Sequence, residues 1–330
     1  MTERGGAHRG TDLVVVGDCN PDVLVLGDDV TPSFGQQEKL VDGIWMVVGG
    51  SAAITAVAAA RLGLSVELVA AVGADPAGDF MLGQLAREGV GTAAVAVRDG
   101  VPTGMTVALS RGADRAILTA LGAIASLAVQ DVPAALLART RHVHVSSYFL
   151  LKHSLGPGLA AMLAAVRAAG ATTSLDTNWD PAGEWGDGQL HASLAQTDVL
   201  LPNEREAVRI AGEPTLAAAA GALTAAGPRL AVKLGERGVL CADGPVWHRV
   251  ELPPVTPVDA TGAGDCFNAG LIAGLLRGLA LPDAATLGCA VGALSTQAAG
   301  GTASCPDLAS ALALARTASV RRVSAGTPSS

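Results

Sequence analysis

Between Arg141 and Leu234 the chain repeats one pattern. Short runs rich in β-branched and aliphatic residues alternate with longer stretches of helical composition. The strand-like runs lie at 141–146, 172–176, 198–201 and 230–234, and residues 158–169 and 216–226 read as helices. A strand followed by a helix and another strand is a βαβ crossover, so the pattern demands a parallel sheet covered on both faces. The chain opens the same way, with a strand at 13–16, a helix at 52–62, a strand at 66–73 and a helix at 79–88. Two regions break the rhythm. Residues 23–26 and 44–48 are strand-like runs separated by a polar segment that includes Gln36, Gln37, Glu38 and Lys39. Residues 101–110 and 115–120 read as strands joined by Arg111-Gly112-Ala113-Asp114, a hairpin signal. No internal repeat or linker divides the chain, so residues 11–315 are expected to form one domain, with 1–10 and 316–330 as disordered tails. Half of the residues are hydrophobic but only 3% are aromatic, so the core must be aliphatic and alanine-rich.

Several function classes are disfavoured. A net charge of -8 lacks the basic face that phosphate-backbone binding needs. Arg167 and Arg277 interrupt apolar runs well short of a membrane span. Residues 1–10 contain no apolar signal core, so a cytoplasmic location is expected. Cys19, Cys241, Cys266, Cys289 and Cys305 are odd in number, without metal-ligand spacing, and read as reduced packing residues. Lys39, Lys152 and Lys233 do not follow glycine, so there is no Walker A loop. Gly-x-Ser-x-Gly is absent as well. His142 and His144 alternate with valines along a strand and read as structural.

The stretch with most chemistry is Asp259-Ala260-Thr261-Gly262-Ala263-Gly264-Asp265, which leads into a helical run through Phe267, Leu271 and Leu275. Its small residues place unpaired backbone N–H groups at a helix N-terminus, where the dipole favours an anion such as phosphate. Asp265 in that first turn is either a helix cap or a base that takes a proton from an attacking hydroxyl. Asn20 and Asp22 follow the first strand, where open α/β sheets bind ligands, or they are turn residues. Gly49-Gly50-Ser51 opens the first helix with a second exposed backbone. Asn203-x-x-Glu206 follows a strand and fits either a capping box or a hydrated Mg²⁺ site.

Together these pieces resemble the ribokinase-like (PfkB-type) carbohydrate kinase family. Gly49-Gly50-Ser51-Ala52-Ala53 matches one signature, and the segment from Asp259 to Asp265, with Phe267 and Gly270, matches the other. Asp176-x-Asn178, Pro202-Asn203-x-x-Glu206 and Val232-Lys233-Leu234-Gly235-x-x-Gly238 fall between them in the family's order. The resemblance implies a three-layer α/β/α sandwich with a mostly parallel central sheet, and a small β-sheet lid from about 22–48 and 95–120. It implies transfer of a phosphoryl group from ATP, with Mg²⁺, to a small sugar or sugar acid. Asp265 is then the base, and Gly262, Ala263 and Gly264 form the anion hole. Asn20, Asp22, Gly49, Gly50, Ser51 and Ser147 would contact the sugar. Asn203 and Glu206 would lie near Mg²⁺ and the phosphates, and Lys233, Gly235 and Gly238 would line the nucleotide pocket. Asp259 and Thr261, with the 299–304 loop, resemble a monovalent-cation site usually filled by K⁺. Pairing of lids into a homodimer is a further implication. One departure stands out: Ile54 occupies a position where the family usually carries a sugar-contacting Asn. That substitution leaves a nucleoside kinase as the alternative acceptor class. A non-catalytic sugar or nucleotide sensor is the alternative outside enzymes, and the intact Asp265 argues against it.

Overall fold

The computed structural model describes residues 10–111 and 114–324. Its first strand, β1 (Thr11–Val16), shows why the central sheet is covered twice. Leu13 and Val15 enter one hydrophobic cluster, whereas Val14 and Val16 enter another on the opposite face. Successive side chains of a strand point to opposite faces, so an uninterrupted apolar run serves two cores at once.

The remaining strands follow in chain order. β2 (Asn20–Leu26), β3 (Gly43–Gly49), β4 (Val66–Gly73), β5 (Gly91–Arg98), β6 (Met105–Arg111) and β7 (Asp114–Ala120) belong to the first half. β8 (Thr140–Val145), β9 (Thr172–Leu175), β10 (Val199–Leu200), β11 (Arg229–Lys233), β12 (Val239–Asp243), β13 (Val246–Glu251) and β14 (Ser319–Val323) complete the set. Among the described residues, ten strands form one sheet in the order β14-β13-β12-β11-β10-β9-β8-β1-β4-β5. From β11 to β5 neighbouring strands are parallel, and β12, β13 and β14 extend the sheet antiparallel. From β1 the order runs one way through β4 and β5 and the other way from β8 outwards. The gap between the C-terminal ends of β1 and β8 is therefore a topological switch point, where open α/β sheets bind ligands.

The second sheet has the order β3-β2-β6-β7 and is the expected lid. β2 pairs antiparallel with β3 and parallel with β6, and β6 pairs antiparallel with β7. Ile44, Trp45, Ile117 and Leu118 are exposed on it. The hairpin turn itself, residues 112–113, lies outside the described residues.

Three expectations need correction. Residues 95–98 do not join the lid; they belong to β5, which pairs with β4 at the edge of the large sheet. The alanines and single valines of 91–98 carry too little apolar periodicity to announce a strand. Residues 316–324 are not a disordered tail, because β14 pairs with β13 from Ser319 opposite Glu251 to Val323 opposite Trp247. Its polar sequence fits an exposed edge strand, whose stability comes from the ladder and not from burial. The other parts of the expected tails, 1–9 and 325–330, lie outside the described residues. The run at 198–201 contributes only the two-residue β10 to the sheet.

The helices Ala263–Leu276 and Leu281–Ser295 pack backbone against backbone. A Cβ on Gly270 would lie 2.8 Å from Gly288 Cα, so both positions need glycine for this approach. No helix among the described residues is long and apolar enough to cross a membrane.

The strand histidines prove to be a buried polar ladder. His142 Nδ1 meets Thr172 Oγ1 at 2.7 Å, and its Nε2 meets Ser174 Oγ at 2.7 Å. His144 Nδ1 shares that Ser174 hydroxyl at 2.7 Å, and its Nε2 receives the Ser146 contact at 2.9 Å. Burial disfavours the imidazolium, pushing His142 down to about 3 and His144 down to about 4. The unfolded chain therefore binds more protons than the folded one between these values and the ordinary 6.5. Stability is present above pH 6.5 and is lost as pH falls through that window. Each histidine should contribute a slope approaching about 1.4 kcal/mol per pH unit. Urea unfolding at pH 4.5 to 6 should show this slope reduced by roughly that amount in His142→Gln. An unchanged slope would contradict the assignment.

Candidate active site

The switch point is assembled around buried carboxylates. Asp18 follows β1, and its side chain accepts hydrogen bonds at 3.0 Å from the backbone N–H groups of Ser51 and Ala52. It thereby caps the helix Ser51–Arg61, whose preceding residue Gly50 has φ 81° and no side chain to do so. Burial raises the Asp18 carboxyl, and these hydrogen bonds oppose that rise. Ser51 Oγ accepts a 2.7 Å bond from Asn178 Nδ2. Asn178 Oδ1 accepts in turn from the Ser147 N–H at 3.0 Å. Both Ser147 (φ 58°) and Asn178 (φ 55°) are left-handed, a conformation that costs a non-glycine residue about 1–3 kcal/mol. The surrounding bonds hold it in place.

Asn20 and Asp22 stand beside this group on β2. Asn20 Nδ2 donates to Asp22 Oδ1 and to Thr106 Oγ1 of the lid, both at 3.1 Å. A Cβ on Gly49 would fall 2.0 Å from Asp22 Oδ1, so glycine is required for Asp22 to lie there. The structure brings Asn20, Asp22, Gly49, Gly50, Ser51 and Ser147 to one end of the sheet.

The Gly-Ala-Gly turn lies opposite. Gly262 (φ 71°) precedes the helix Ala263–Leu276, which has no side-chain N-cap bond, and Asp265 sits in its first turn. The cap alternative for Asp265 therefore finds no cap bond. A Cβ on Gly262 would lie 2.7 Å from Gly301 Cα, so the turn and the 300–301 loop touch through backbone alone. Asp259 Oδ1 accepts from Thr261 N at 2.9 Å and from Thr261 Oγ1 at 2.7 Å, and Asp259 Oδ2 accepts from Gly300 N at 2.9 Å. Ile54 is buried, and its Cδ1 and Cγ2 lie beside Gly301 and Gly262 respectively. The side chain at this departure from the family pattern packs against the Gly-Ala-Gly turn. Burial pushes the Asp265 carboxyl well above the usual range. Asp176 and Asp18 add to the shift, and Lys233 and Ser51 oppose it.

Lys233 joins the two halves. Its Nζ lies 2.5 Å from Asp176 Oδ2, an oxygen that also accepts from Asn268 Nδ2 at 2.6 Å. Burial works against the Lys233 ammonium, but the neighbouring carboxylates of Asp176 and Glu206 prevail and hold it charged. Burial likewise works against ionised Asp176, and Lys233 and Asn268 pull its carboxyl down. Asn203 and Glu206 form the capping box: Asn203 N donates to Glu206 Oε2 at 2.8 Å, and Glu206 N donates to Asn203 Oδ1 at 2.9 Å. Burial and then the charge of Asp176 push Glu206 up to about 7.

From Lys233 a cavity of about 410 Å³ runs along the turn, lined by Gly235, Gly238, Ala263, Gly264, Phe267 and a proline-rich segment at 253–257. Gly238 (φ 83°) lies so close to Val250 that a Cβ would be 2.1 Å from its carbonyl oxygen. Mostly apolar walls beside a helix N-terminus fit a nucleotide, whose base needs the first and whose phosphates need the second. Sequence reasoning assigned no role to Asp18 or Asn268. Asn268 was within reach, since it lies three residues after Asp265 on the same helix face. Asp18 carried no spacing signal, because its partners are backbone groups 33 and 34 residues away.

Comparison with known proteins decides the class. The model of the pfkB family of carbohydrate kinases matches residues 10–308. The chain belongs to that family. This kinase is 31% identical over 301 residues to a fructokinase of Salmonella typhimurium, covering 87% of this chain and 97% of the relative. It is 30% identical over 295 residues to a 2-dehydro-3-deoxygluconokinase of Bacillus subtilis, covering 82% and 88% of the two chains. Its fold matches an Arabidopsis thaliana ribokinase solved with ribose and ATP, with a TM-score of 0.79 at 24% identity over 93% of this chain and 99% of that one. The kinase should depend on the Lys233–Asp176 pair for stability. Lys233→Met leaves Asp176 buried without its cation and should cost about 3–5 kcal/mol in chemical unfolding, with Asp176→Asn milder. Equal stability of Lys233→Met and wild type would show the pair to be dispensable.

Proposed function

We propose that this kinase transfers the γ-phosphoryl group of ATP to a hydroxyl of a small sugar or sugar acid, with Asp265 as the base. The observation that carries this reading is a buried carboxylate in the first turn of a helix whose N-terminus otherwise offers only backbone N–H groups. The turn lines the apolar cavity through Ala263 and Gly264, and Ser51, bonded to Asn178, favours the ionised form of the Asp265 carboxyl. Asp265 takes the proton of the acceptor hydroxyl as the new P–O bond forms and the bond to the β-phosphate oxygen breaks. Its raised carboxyl affinity for protons makes it a stronger base than a free aspartate once ionised. The N–H groups of Gly262, Ala263 and Gly264 meet the charge on the transferring group. Asn20, Asp22, Gly49, Gly50, Ser51 and Ser147 orient the acceptor, and the lid excludes water. Lys233, Gly235 and Gly238 line the nucleotide side.

Glu206, with Asn203 beside it, is the residue that would hold Mg²⁺ through water. Its carboxyl is pushed up partly by Asp176, so a cation there would relieve a repulsion already built in. Such an ion supplies charge neutralisation on the phosphates. The fructokinase and deoxygluconokinase relatives bring ketohexoses and sugar acids in as the acceptors to test first.

Asp265→Asn should lower turnover about 10²–10⁴-fold on whichever acceptor is active. It should keep the unfolding midpoint, because a buried acid becomes a neutral amide. An ATP-dependent assay across sugars, sugar acids and nucleosides reads both points. Near wild-type turnover of the variant would remove the base assignment, and activity on nucleosides alone would replace the acceptor class. Asp259, Thr261 and the 300–301 loop are further proposed to hold K⁺. Replacing K⁺ by tetramethylammonium at constant ionic strength should then lower activity, and an unchanged rate would count against that site.

A further inference from the structure

The Cys266 and Cys305 thiols lie Sγ to Sγ at 3.0 Å, inside ordinary sulfur contact and about 1 Å beyond a disulfide bond. Both sulfurs also approach the carbonyl oxygen of Gly301, at 3.4 Å from Cys266 and 3.5 Å from Cys305. Cys266 follows Asp265 in the first turn of the helix Ala263–Leu276 and is fully buried. Cys305 ends the loop that touches Gly262, and 7% of its surface reaches solvent. That loop is already held from its other side. Arg61 Nη1 donates to Thr302 O at 2.6 Å and to Cys305 O at 3.2 Å, while its Nε and Nη2 grip Glu88 at 2.8 Å. Ser304 Oγ donates to Ser295 O at 2.7 Å. The two sulfurs are thus brought together by a braced backbone and need little movement to bond.

We propose that Cys266 and Cys305 are an oxidation site, a thiol pair that peroxide converts to an intrachain disulfide that restrains the turn carrying Asp265. The sulfur of Cys305, the less buried of the two residues, attacks one peroxide oxygen and breaks the O–O bond. Sulfenic acid forms, and the leaving hydroxide takes the thiol proton to become water. The Cys266 sulfur then attacks the sulfenic sulfur and expels hydroxide, which takes the second thiol proton as water. Two thiols and one hydrogen peroxide give one disulfide and two waters. Each sulfur loses one electron, and the two peroxide oxygens gain them. Forming the bond draws the Gly300–Cys305 side and the Asp265 turn together by about 1 Å, a displacement that near a reacting centre can cost about 10²-fold in rate. The bond itself is independent of the chemistry assigned above; its effect on turnover rests on Asp265 acting as the base.

The experiment treats the full-length kinase with hydrogen peroxide, blocks remaining thiols and maps linked peptides by mass spectrometry, alongside thiol titration and turnover. The chain has five free cysteines, so titration should fall from five to three. The linked pair should be Cys266 with Cys305, and turnover should fall about tenfold or more and return with dithiothreitol. Cys305→Ser, outside the proposed catalytic groups, should form no linked peptide and keep its turnover under the same treatment. Cys305→Ala serves if the serine hydroxyl disturbs folding. Absence of the linked peptide, or linkage through other cysteines, overturns the site without touching the kinase reading. Formation of the bond with full turnover, or equal losses in wild type and variant, overturns the restraint.

Discussion

Three carboxylates, Asp176, Glu206 and Asp265, are buried around the Lys233 ammonium, and the site depends on how that charge is shared. Lys233 is bonded directly to Asp176, which stays ionised. Glu206 and Asp265 feel Asp176 as a like charge in a desolvated setting and hold their protons more tightly. Burial first, and then the charge of Asp176, set these two acids apart from ordinary carboxylates, while Lys233 opposes the shift. The parallel sheet makes this arrangement, because β9 and β11 end side by side around β10 and deliver Asp176 and Lys233 to the same edge.

The same edge solves a second problem. Phosphate oxygens must approach where acids already crowd, so attraction has to come from groups that cost no further desolvation of charge. In the proposed reaction, backbone N–H groups at the start of the helix Ala263–Leu276 would provide it. They are reachable because the turn is made of Gly262, Ala263 and Gly264, and because Gly262 leans on Gly301 without a side chain between them. Ile54 packs against both glycines, which makes it part of the support of the Gly-Ala-Gly turn.

Much of this architecture was legible in the sequence. The apolar runs at 13–16 and 68–72 announced buried parallel strands, since a strand covered on both faces has little polar side to show. The Gly-Ala-Gly-Asp turn and Asn203-x-x-Glu206 were legible because their residues act over one helical turn. The capping box seen for Asn203 and Glu206 was one of the two readings their spacing allowed. β5 and β14 were not legible. Each is an edge strand whose place is set by pairing with its neighbour, β4 one crossover earlier for β5 and the distant β13 for β14, and neither carries an apolar period of its own. Asp18 escaped notice for a related reason, as its role is to cap a helix that begins 33 residues later.

The sequence by itself determined the fold class, the family and the identity of the residues at the strand ends, because patterning, turn chemistry and signature spacing are local properties. Tertiary structure alone decided which of those residues meet. Asp176 and Lys233 are 57 positions apart, Ser51 and Asn178 are 127 apart, and Cys266 and Cys305 are 39 apart. Contacts of that kind follow from strand order and from the close approach of glycine backbones. Burial then sets the charge state of each acid, because desolvation depends on everything packed around a group and not on its neighbours in the chain.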